Sequence, residues 1–384
     1  MTPRAKSTTS DEMYMRLALR EARRARGKTY PNPAVGAVIV RGGRILGKGY
    51  HKQAGAPHAE IEALADCRRK GHSPADAVLY VTLEPCNHQG RTPPCTKALI
   101  AARIRRVVIA MRDSNTDVTG GGVERLRKAG IEVSVGVLEQ EVRILNETYH
   151  HFYEHGRPFI TLKWAMTLDG CTSAVSGDAC WITGEAARRD GHRLRACHAC
   201  VAVGIGTILQ DNPRLDVRMV PCPGPQPLRL IADTRLRIPE AAAVIETDPG
   251  RVLLATGARP SHPKVRRLSA RGVQFIHLRP DAKGRLPLSK LMHALRGAGV
   301  QSVLVEGGRT LAGSFVGAGL VDRVVAYIAP SLLGAKKNPL NALTGCGVKN
   351  ASQARRLALV GVRRLGDDLC LECRMEAGRV PVSG

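Results

Sequence analysis

The stretch 57-PHAEIEALADCRR-69, followed by 78-VLYVTLEPC-86 and 94-PCTKALIAAR-103, decides how the first part of the chain folds. Ala59–Arg69 and Pro94–Arg103 carry helical patterns, and the β-branched run Val78–Thr82 lies between them. A second run, Val107–Ile109, follows the second helix. Helices that flank strands in this order cover both faces of a sheet, which points to an α/β layered domain. Working outward, the capping-box-like Thr9-Ser10-Asp11-Glu12 opens an earlier helix and Val35–Val40 reads as a strand. Downstream, Gly122–Ala129 reads as a helix and Ile131–Val135 as a closing strand. The pattern predicts a helix–sheet–helix sandwich over the first 135 residues.

A polar, helix-prone stretch, Leu138–His155, ends at Gly156-Arg157-Pro158, a natural boundary before the apolar run Phe159–Met166. We therefore expect two domains, 1–150 and 158–384. Strand-like runs in the second are Val201–Val203, Leu228–Ala232, Val252–Ala255, Val273–His277, Val303–Val305 and Val324–Ile328. Helical stretches or loops separate them, so this domain is α/β as well. Leu357–Arg364 and Leu369–Met375 around Gly366-Asp367 predict a terminal hairpin, Asp211–Pro227 has to be loop, and no internal repeat is present.

The chain has 384 residues, 43% hydrophobic and 24% charged, a globular composition with room for two cores. No run approaches the ~20 apolar residues of a membrane span, and the N-terminus lacks the apolar segment and cleavage site of a secretion signal. The expected location is the cytoplasm, with no membrane partner. The 58 Lys+Arg against 33 Asp+Glu give a formal charge of +25, compatible with nucleic acid, an anionic surface or phosphorylated small molecules. Aromatic residues are only 3%, too few for base-stacking platforms, so nucleic acid is not the expected partner. Eleven cysteines at irregular spacing read as thiols or metal ligands before disulfides.

His58, Cys86 and Cys95 have the chemistry of a catalytic zinc site, which takes three protein ligands and keeps a position for water. Glu60, two residues after the histidine at a helix start, is the proton shuttle such a site needs to release an amino group as ammonia. Zinc deaminases carry H-x-E followed by P-C-x-x-C, whereas eight residues separate Cys86 from Cys95 here. The insert Asn87–Pro94 is rich in hydrogen-bond donors, as a substrate loop would be.

PNPAVGAVIV, PHAE and EPCNHQGRTPPC resemble the deaminase half of the bifunctional riboflavin-biosynthesis deaminase/reductase family, whose members carry the longer cysteine spacing. The resemblance implies a cytidine-deaminase-like three-layer α/β/α domain. It implies zinc on His58, Cys86 and Cys95, the proton shuttle on Glu60, and substrate contacts on Asn32, His51, His88 and Arg91. The chemistry of the residues agrees. An amide such as Asn32 reads a pyrimidine edge by paired donor and acceptor, and Arg91 can fork onto a 5′-phosphate.

The second domain fails the test for a dinucleotide fingerprint, because 204-GIGTIL-209 lacks the third glycine of G-x-G-x-x-G and reads as a tight turn. In 303-VLVEGGRTLAG-313, by contrast, a strand runs into a glycine-rich helix start, which presents backbone N–H groups to phosphate. LKWAMTLDG, Trp181–Thr183, AARRDGHRLRA, GTILQDNPRLDVR and VEGGRTLAG resemble the reductase half of the same family, with a dihydrofolate-reductase-like fold. That resemblance implies NADPH contacts on Ala165, Trp181, Thr207, Asp211, Thr234 and the turn Gly308, Arg309, Thr310, Leu311, Ala312, Gly313 and Ser314. It implies substrate contacts on Arg195, Leu215, Arg218 and Glu306, with the two arginines on the ribose phosphate; Ala179 replaces a serine that members often have.

The resemblance covers almost the whole chain. It implies hydrolysis of the 2-amino group of 2,5-diamino-6-ribosylamino-4(3H)-pyrimidinone 5′-phosphate, then hydride transfer from NADPH to C1′ of the ring-opened imine. The product is 5-amino-6-ribitylamino-uracil 5′-phosphate, and family members are homodimers or homotetramers. Rival readings are an RNA or tRNA base deaminase, a deaminase with an inactive reductase-like domain, and a zinc-stabilised regulatory or RNA-binding protein with dead sites. Cys197-His198-Ala199-Cys200 and Cys370-Leu371-Glu372-Cys373 lack the glycine of a zinc knuckle and are expected to be small buried residues.

Overall fold

The computed structural model describes residues 9–88, 93–115, 121–174, 181–334 and 341–375. The chain divides into two compact units, Met1–Gly156 and Arg157–Gly384. Among the described residues no helix is long and apolar enough to cross a membrane.

The first unit runs α1 (Thr9–Arg23), β1 (Gly36–Arg41), β2 (Arg44–Tyr50), α2 (Ala59–Arg69), β3 (Val78–Leu83), α3 (Cys95–Ala101), β4 (Arg106–Met111), α4 (Gly122–Lys128), β5 (Glu132–Val135), α5 (Glu139–Leu145) and α6 (Glu147–His155). Its sheet has the order β2-β1-β3-β4-β5, antiparallel on both sides of β1 and parallel from β3 to β5. Alternation along the strands builds two cores. Ala37, Ile39, Leu79, Val81, Val107 and Ile109 face α2, α3 and α4, while Val38, Val40, Tyr80, Val108 and Ala110 face α1 and α5. The predicted three layers are thus present.

Two details differ from the sequence reading. Strand β2 carries Gly47 and Gly49 and lacks a strand-like pattern, but both glycines lie under α2, and a Cβ at Gly49 would stand 2.3 Å from Ala63 N. That close approach seats the helix whose first turn carries Glu60. The stretch Leu138–His155 is two helices, broken at Asn146, whose buried amide accepts from Ala34 N at 2.8 Å and donates to Ala34 O at 2.9 Å.

The second unit runs β6 (Phe159–Thr167), α7 (Glu185–Ala196), β7 (Cys200–Gly204), α8 (Ile205–Asp211), β8 (Leu228–Ala232), α9 (Ala243–Thr247), β9 (Val252–Thr256), α10 (Pro263–Ala270), β10 (Gln274–His277), α11 (Leu288–Gly297), β11 (Ser302–Glu306), α12 (Arg309–Gly317), β12 (Arg323–Ala329), β13 (Leu357–Leu365) and β14 (Asp368–Met375). These strands form one sheet of order β10-β9-β8-β7-β11-β6-β12-β14-β13. It is parallel from β10 to β12, and the terminal hairpin adds antiparallel β14 and β13. One face packs on α11 and α12 around Phe315 and Leu295, the other on α8, α9 and α10 around Ile208, Ile245 and Leu268. α7 covers Val325, Tyr327 and Cys370 nearer the hairpin. Because β6, β7 and β11 are adjacent and parallel, their C-terminal ends and the loops after them meet, and a ligand cleft forms there in sheets of this kind. The turn at Gly204 opens directly into α8, so 204-GIGTIL-209 is a strand-to-helix junction.

The two C-x-x-C pairs do not converge. Cys370 and Cys373 are three residues apart on β14 and therefore point to opposite faces of the sheet. Cys200 and Cys370 are buried as expected, but Cys197 is exposed at the C-cap of α7 and Cys373 is only half-buried, which corrects the expectation of burial at those two.

Candidate active sites

In the first unit two helix N-termini and one strand end point at the same place. His58 is the N-cap of α2, Cys95 is the first residue of α3 after Pro94, and Cys86 follows β3 through Glu84-Pro85. One ligand atom from each of the three lies within 4.8 Å of the others, the only such His/Cys/Asp/Glu group among the described residues. His58 Nδ1 is 3.4 Å from Cys86 Sγ and 3.3 Å from Cys95 Sγ, and Cys95 N–H donates to Cys86 Sγ at 3.3 Å. Hydrogen bonds from Cys95 and His58 hold the Cys86 thiol well below the ordinary thiol range despite burial. Helix N-termini add a field of the same sign, favouring thiolate. Glu60, one position into α2, is 3% exposed, and burial with the nearby Cys86 charge pushes its carboxyl up to about 7.

His58, Glu60 and Cys86 line a cavity of about 430 Å³, with Cys95 buried behind them, and Asn32, His51, His88, Asp113, Asn115, Tyr149 and Tyr153 line it as well. His51 Nδ1 contacts Pro57 O at 3.1 Å, and a carbonyl only accepts, so that nitrogen carries the hydrogen. The other nitrogen, Nε2, then accepts from Asn32 Nδ2 at 3.0 Å. Burial lowers the His51 pKa and favours this neutral form. One Asn32 N–H is thereby committed, which fixes the amide and leaves Oδ1 and the second N–H for a ligand edge.

In the second unit a cleft of about 580 Å³ opens at the ends of β6, β7 and β11. Arg195 of α7 grips Glu306 of β11 with Nε and Nη2 at 2.9 and 2.6 Å, and its Nη1 donates to Asp216 O at 2.9 Å. Lys163 on β6 stands directly beside Glu306 in the parallel register. Burial opposes the charge on Glu306, yet Arg195 and Lys163 outweigh it and bring the carboxyl down to about 2. Burial lowers the Lys163 pKa, with Glu306 acting in the opposite sense. Gly307 and Gly308, at φ 69° and 73°, turn the chain from β11 into α12, and a Cβ on Gly308 would stand 3.4 Å from Gly204 N and from Thr207 Oγ1. At the mouth Trp181 is 68% exposed, with the Arg188 guanidinium 4.5 Å above its ring.

Of the residues expected in the second site, Ala165, Trp181, Thr207, Asp211, Gly308, Arg309, Thr310, Arg195, Leu215 and Glu306 line this cleft. Ala312 and Gly313 are buried instead, and a Cβ on Gly313 would overlap Thr344 O at 1.9 Å, so they serve packing of α12. Leu311 packs against the core, and Ser314 Oγ donates to Thr310 O at 2.8 Å. Thr234 accepts from Gly257 N at 3.0 Å, and Arg218 pairs with Asp216 while its backbone N–H donates to His192 Nδ1 at 3.3 Å; neither lines the cleft. Arg91 and Ala179 lie outside the described residues. The sequence reading passed over Lys163, Asp113, Asn115, Tyr149 and Tyr153. Lys163 had a signal, a lone cation inside the apolar run Phe159–Met166.

Residues 8–111 match the family described as the cytidine and deoxycytidylate deaminase zinc-binding region, and residues 158–371 match the RibD C-terminal domain. Joined to the two folds and clefts, these matches define the class, an enzyme that carries a zinc-dependent deaminase and a reductase on one chain. The riboflavin biosynthesis protein RibD of Aquifex aeolicus (strain VF5) is 42% identical over 361 residues, covering 94% of this chain and 97% of that protein. Its counterpart in Escherichia coli (strain K12) is 40% identical over 375 residues, covering 94% and 98%. The solved structure of Acinetobacter baumannii RibD, form 2, superposes with a TM-score of 0.85 at 36% identity, covering 95% of this chain and 99% of that one. A Thermotoga maritima diaminohydroxyphosphoribosylaminopyrimidine deaminase/5-amino-6-(5-phosphoribosylamino)uracil reductase gives 0.83 at 34%, with coverage of 95% and 99%. The chain belongs to the RibD family, the bifunctional deaminase/reductases of riboflavin biosynthesis.

Proposed function

We propose that the first unit hydrolyses the 2-amino group of 2,5-diamino-6-ribosylamino-4(3H)-pyrimidinone 5′-phosphate and that the second reduces the deaminated product with NADPH to 5-amino-6-ribitylamino-uracil 5′-phosphate. The observation that carries this reading is the convergence of His58, Cys86 and Cys95 beside buried Glu60, at the wall of a cavity of about 430 Å³ that His58, Glu60 and Cys86 line. The donor set, one imidazole nitrogen and two sulfurs, fits zinc. Zinc held there supplies a Lewis acid that makes water a nucleophile at neutral pH. Glu60 takes a proton from the attacking water and delivers it to the departing amino group, so that ammonia leaves. Asn32, held in place by His51, reads the pyrimidine edge, and His88 and Arg91 hold the ribose phosphate side.

In the reductase cleft the glycine turn before α12 fits a dinucleotide, because a Cβ at Gly308 would close on Gly204 and Thr207 where phosphate needs room. NADPH bound there supplies hydride. Ala165, Trp181, Thr207, Asp211 and the turn Gly308–Thr310 are the proposed cofactor contacts, and Ala179, Arg195, Leu215 and Glu306 the proposed substrate contacts. Lys163, buried beside Glu306, gives the proton that the imine nitrogen takes up as C1′ is reduced. The enzyme acts in the cytoplasm as a homo-oligomer, with a phosphorylated pyrimidine as its ligand and no nucleic acid or membrane partner.

A coupled assay tests both halves, following ammonia release from the diaminopyrimidine nucleotide and oxidation of NADPH together. Both signals, with one zinc per chain, are expected. Ammonia without NADPH oxidation would mean an inactive second unit, and activity on RNA that falls steeply with salt while the free nucleotide is untouched would favour a base deaminase.

A further inference from the structure

Helix α6 lies beyond residues 8–111, the part matched by the deaminase family, yet it contributes Tyr149 and Tyr153 to the deaminase cavity. Tyr149 is 6% exposed, and its hydroxyl donates to Asp113 Oδ1 at 2.8 Å. The backbone N–H of Asn115 donates to the same oxygen at 2.9 Å. Among the described residues nothing donates to Oδ2, although Asp113 lines the cavity. The Tyr153 ring meets Tyr149 edge-on at 4.9 Å and the His150 ring does so at 5.4 Å, so the phenol has little freedom to swing away. Asp113 and Glu84 on this wall disfavour the substrate phosphate, and a carboxylate there is suited to a neutral O–H or N–H donor.

We propose that Tyr149 is a positioning residue of the deamination, holding Asp113 through Oδ1 so that Oδ2 accepts a hydrogen from a sugar hydroxyl or an amino group of the bound nucleotide. This rests on the deaminase reading above. The test is steady-state ammonia release by the full zinc-loaded chain. Tyr149→Phe, which keeps the ring, is expected to raise KM for the diaminopyrimidine nucleotide about tenfold with kcat within about twofold. Asp113→Asn should raise KM at least as much, and adding Tyr149→Phe to it should do nothing further, since the tyrosine acts through the carboxylate.

The 2′- and 3′-deoxyribosyl analogues separate the donors. If a sugar hydroxyl is the partner, Tyr149→Phe has no effect on the analogue that lacks it; if an amino group is, the full penalty remains on both. An unchanged KM in Tyr149→Phe, a loss confined to kcat, or penalties that multiply in the double variant would overturn the proposal. Zinc content and NADPH oxidation with the deaminated nucleotide report whether each variant is folded. If Tyr149→Phe does not hold zinc, an unchanged KM in Asp113→Asn overturns the proposal equally. A wild-type chain that releases no ammonia would overturn the deaminase reading itself, and this proposal with it.

Discussion

The two clefts solve the same problem, holding charged groups out of water, in opposite ways. In the first unit the donors His58, Cys86 and Cys95 come from one stretch of chain, and helix N-termini supply the field that stabilises anionic sulfur. In the second, Lys163, Arg195 and Glu306 come from β6, α7 and β11, and one carboxylate pairs with two cations, with Arg195 in a bidentate ion pair. A site built on helix starts needs a metal to complete it, whereas a site built on strand ends is complete as charges but depends on the sheet for its alignment.

The largest break in this comparison should come from Glu60→Gln, expected to cut ammonia release at least ~10³-fold, about 4 kcal/mol of barrier, while zinc content and NADPH oxidation persist. Metal removal with a chelator should likewise silence only the first activity. Glu306→Ala leaves Arg195 and Lys163 buried without their shared anion and should cost the second unit about 3–4 kcal/mol, read as a lower denaturant midpoint, along with its reductase activity. An unchanged midpoint would show that the cluster is not a structural unit.

Acid should weaken both units by one mechanism. Burial lowers His150 in the first unit and His192 in the second to about 4, so each stays neutral when folded. The unfolded chain protonates near the ordinary histidine value of about 6.5 and binds more protons between there and about pH 4. The stability contributed by the neutral rings is therefore present above pH 6.5 and lost as pH falls through that window. The loss is at most about 3 kcal/mol for His150 and less for His192, which lies nearer water. Urea melts at pH 7.5 and 5 measure it, and His150→Phe should flatten the dependence.

Gly49→Ala places a methyl against α2 and should cost about 2–3 kcal/mol in the first unit alone, with a loss of zinc affinity because His58 and Glu60 ride on that helix. The smallest effect expected is that of Arg188→Ala, which removes the cation over Trp181 and should raise KM for NADPH two- to fivefold, about 0.5–1 kcal/mol, without touching ammonia release.

The differences in legibility follow from the same contrast. The α/β character of both domains and the terminal hairpin were readable because most strands announce themselves by a local pattern. Strand β2 did not, since α2 lies so close that Gly47 and Gly49 occupy positions where a strand would otherwise carry larger residues. The break between α5 and α6 was equally hidden, because Asn146 leaves the helix to pair with Ala34, far away in sequence. In the reductase, Arg218 and Thr234 lie off the cleft wall and Lys163 lies on it. Only Lys163 had a local signal, a cation inside an apolar run; nothing local sets Arg218 and Thr234 apart from residues on the wall.

By itself, the order of His58, Glu60, Cys86 and Cys95 between helix and strand signals determined the metal chemistry, because those residues act within a turn or two of where the chain puts them. The glycine turn after Glu306 likewise marked the place where β11 runs into the start of α12. Only the tertiary structure decided that Lys163 stands beside Glu306 and that Tyr149 holds Asp113. Such contacts depend on strand register and helix docking between distant segments, and those are settled by the packing of whole faces rather than by any local pattern.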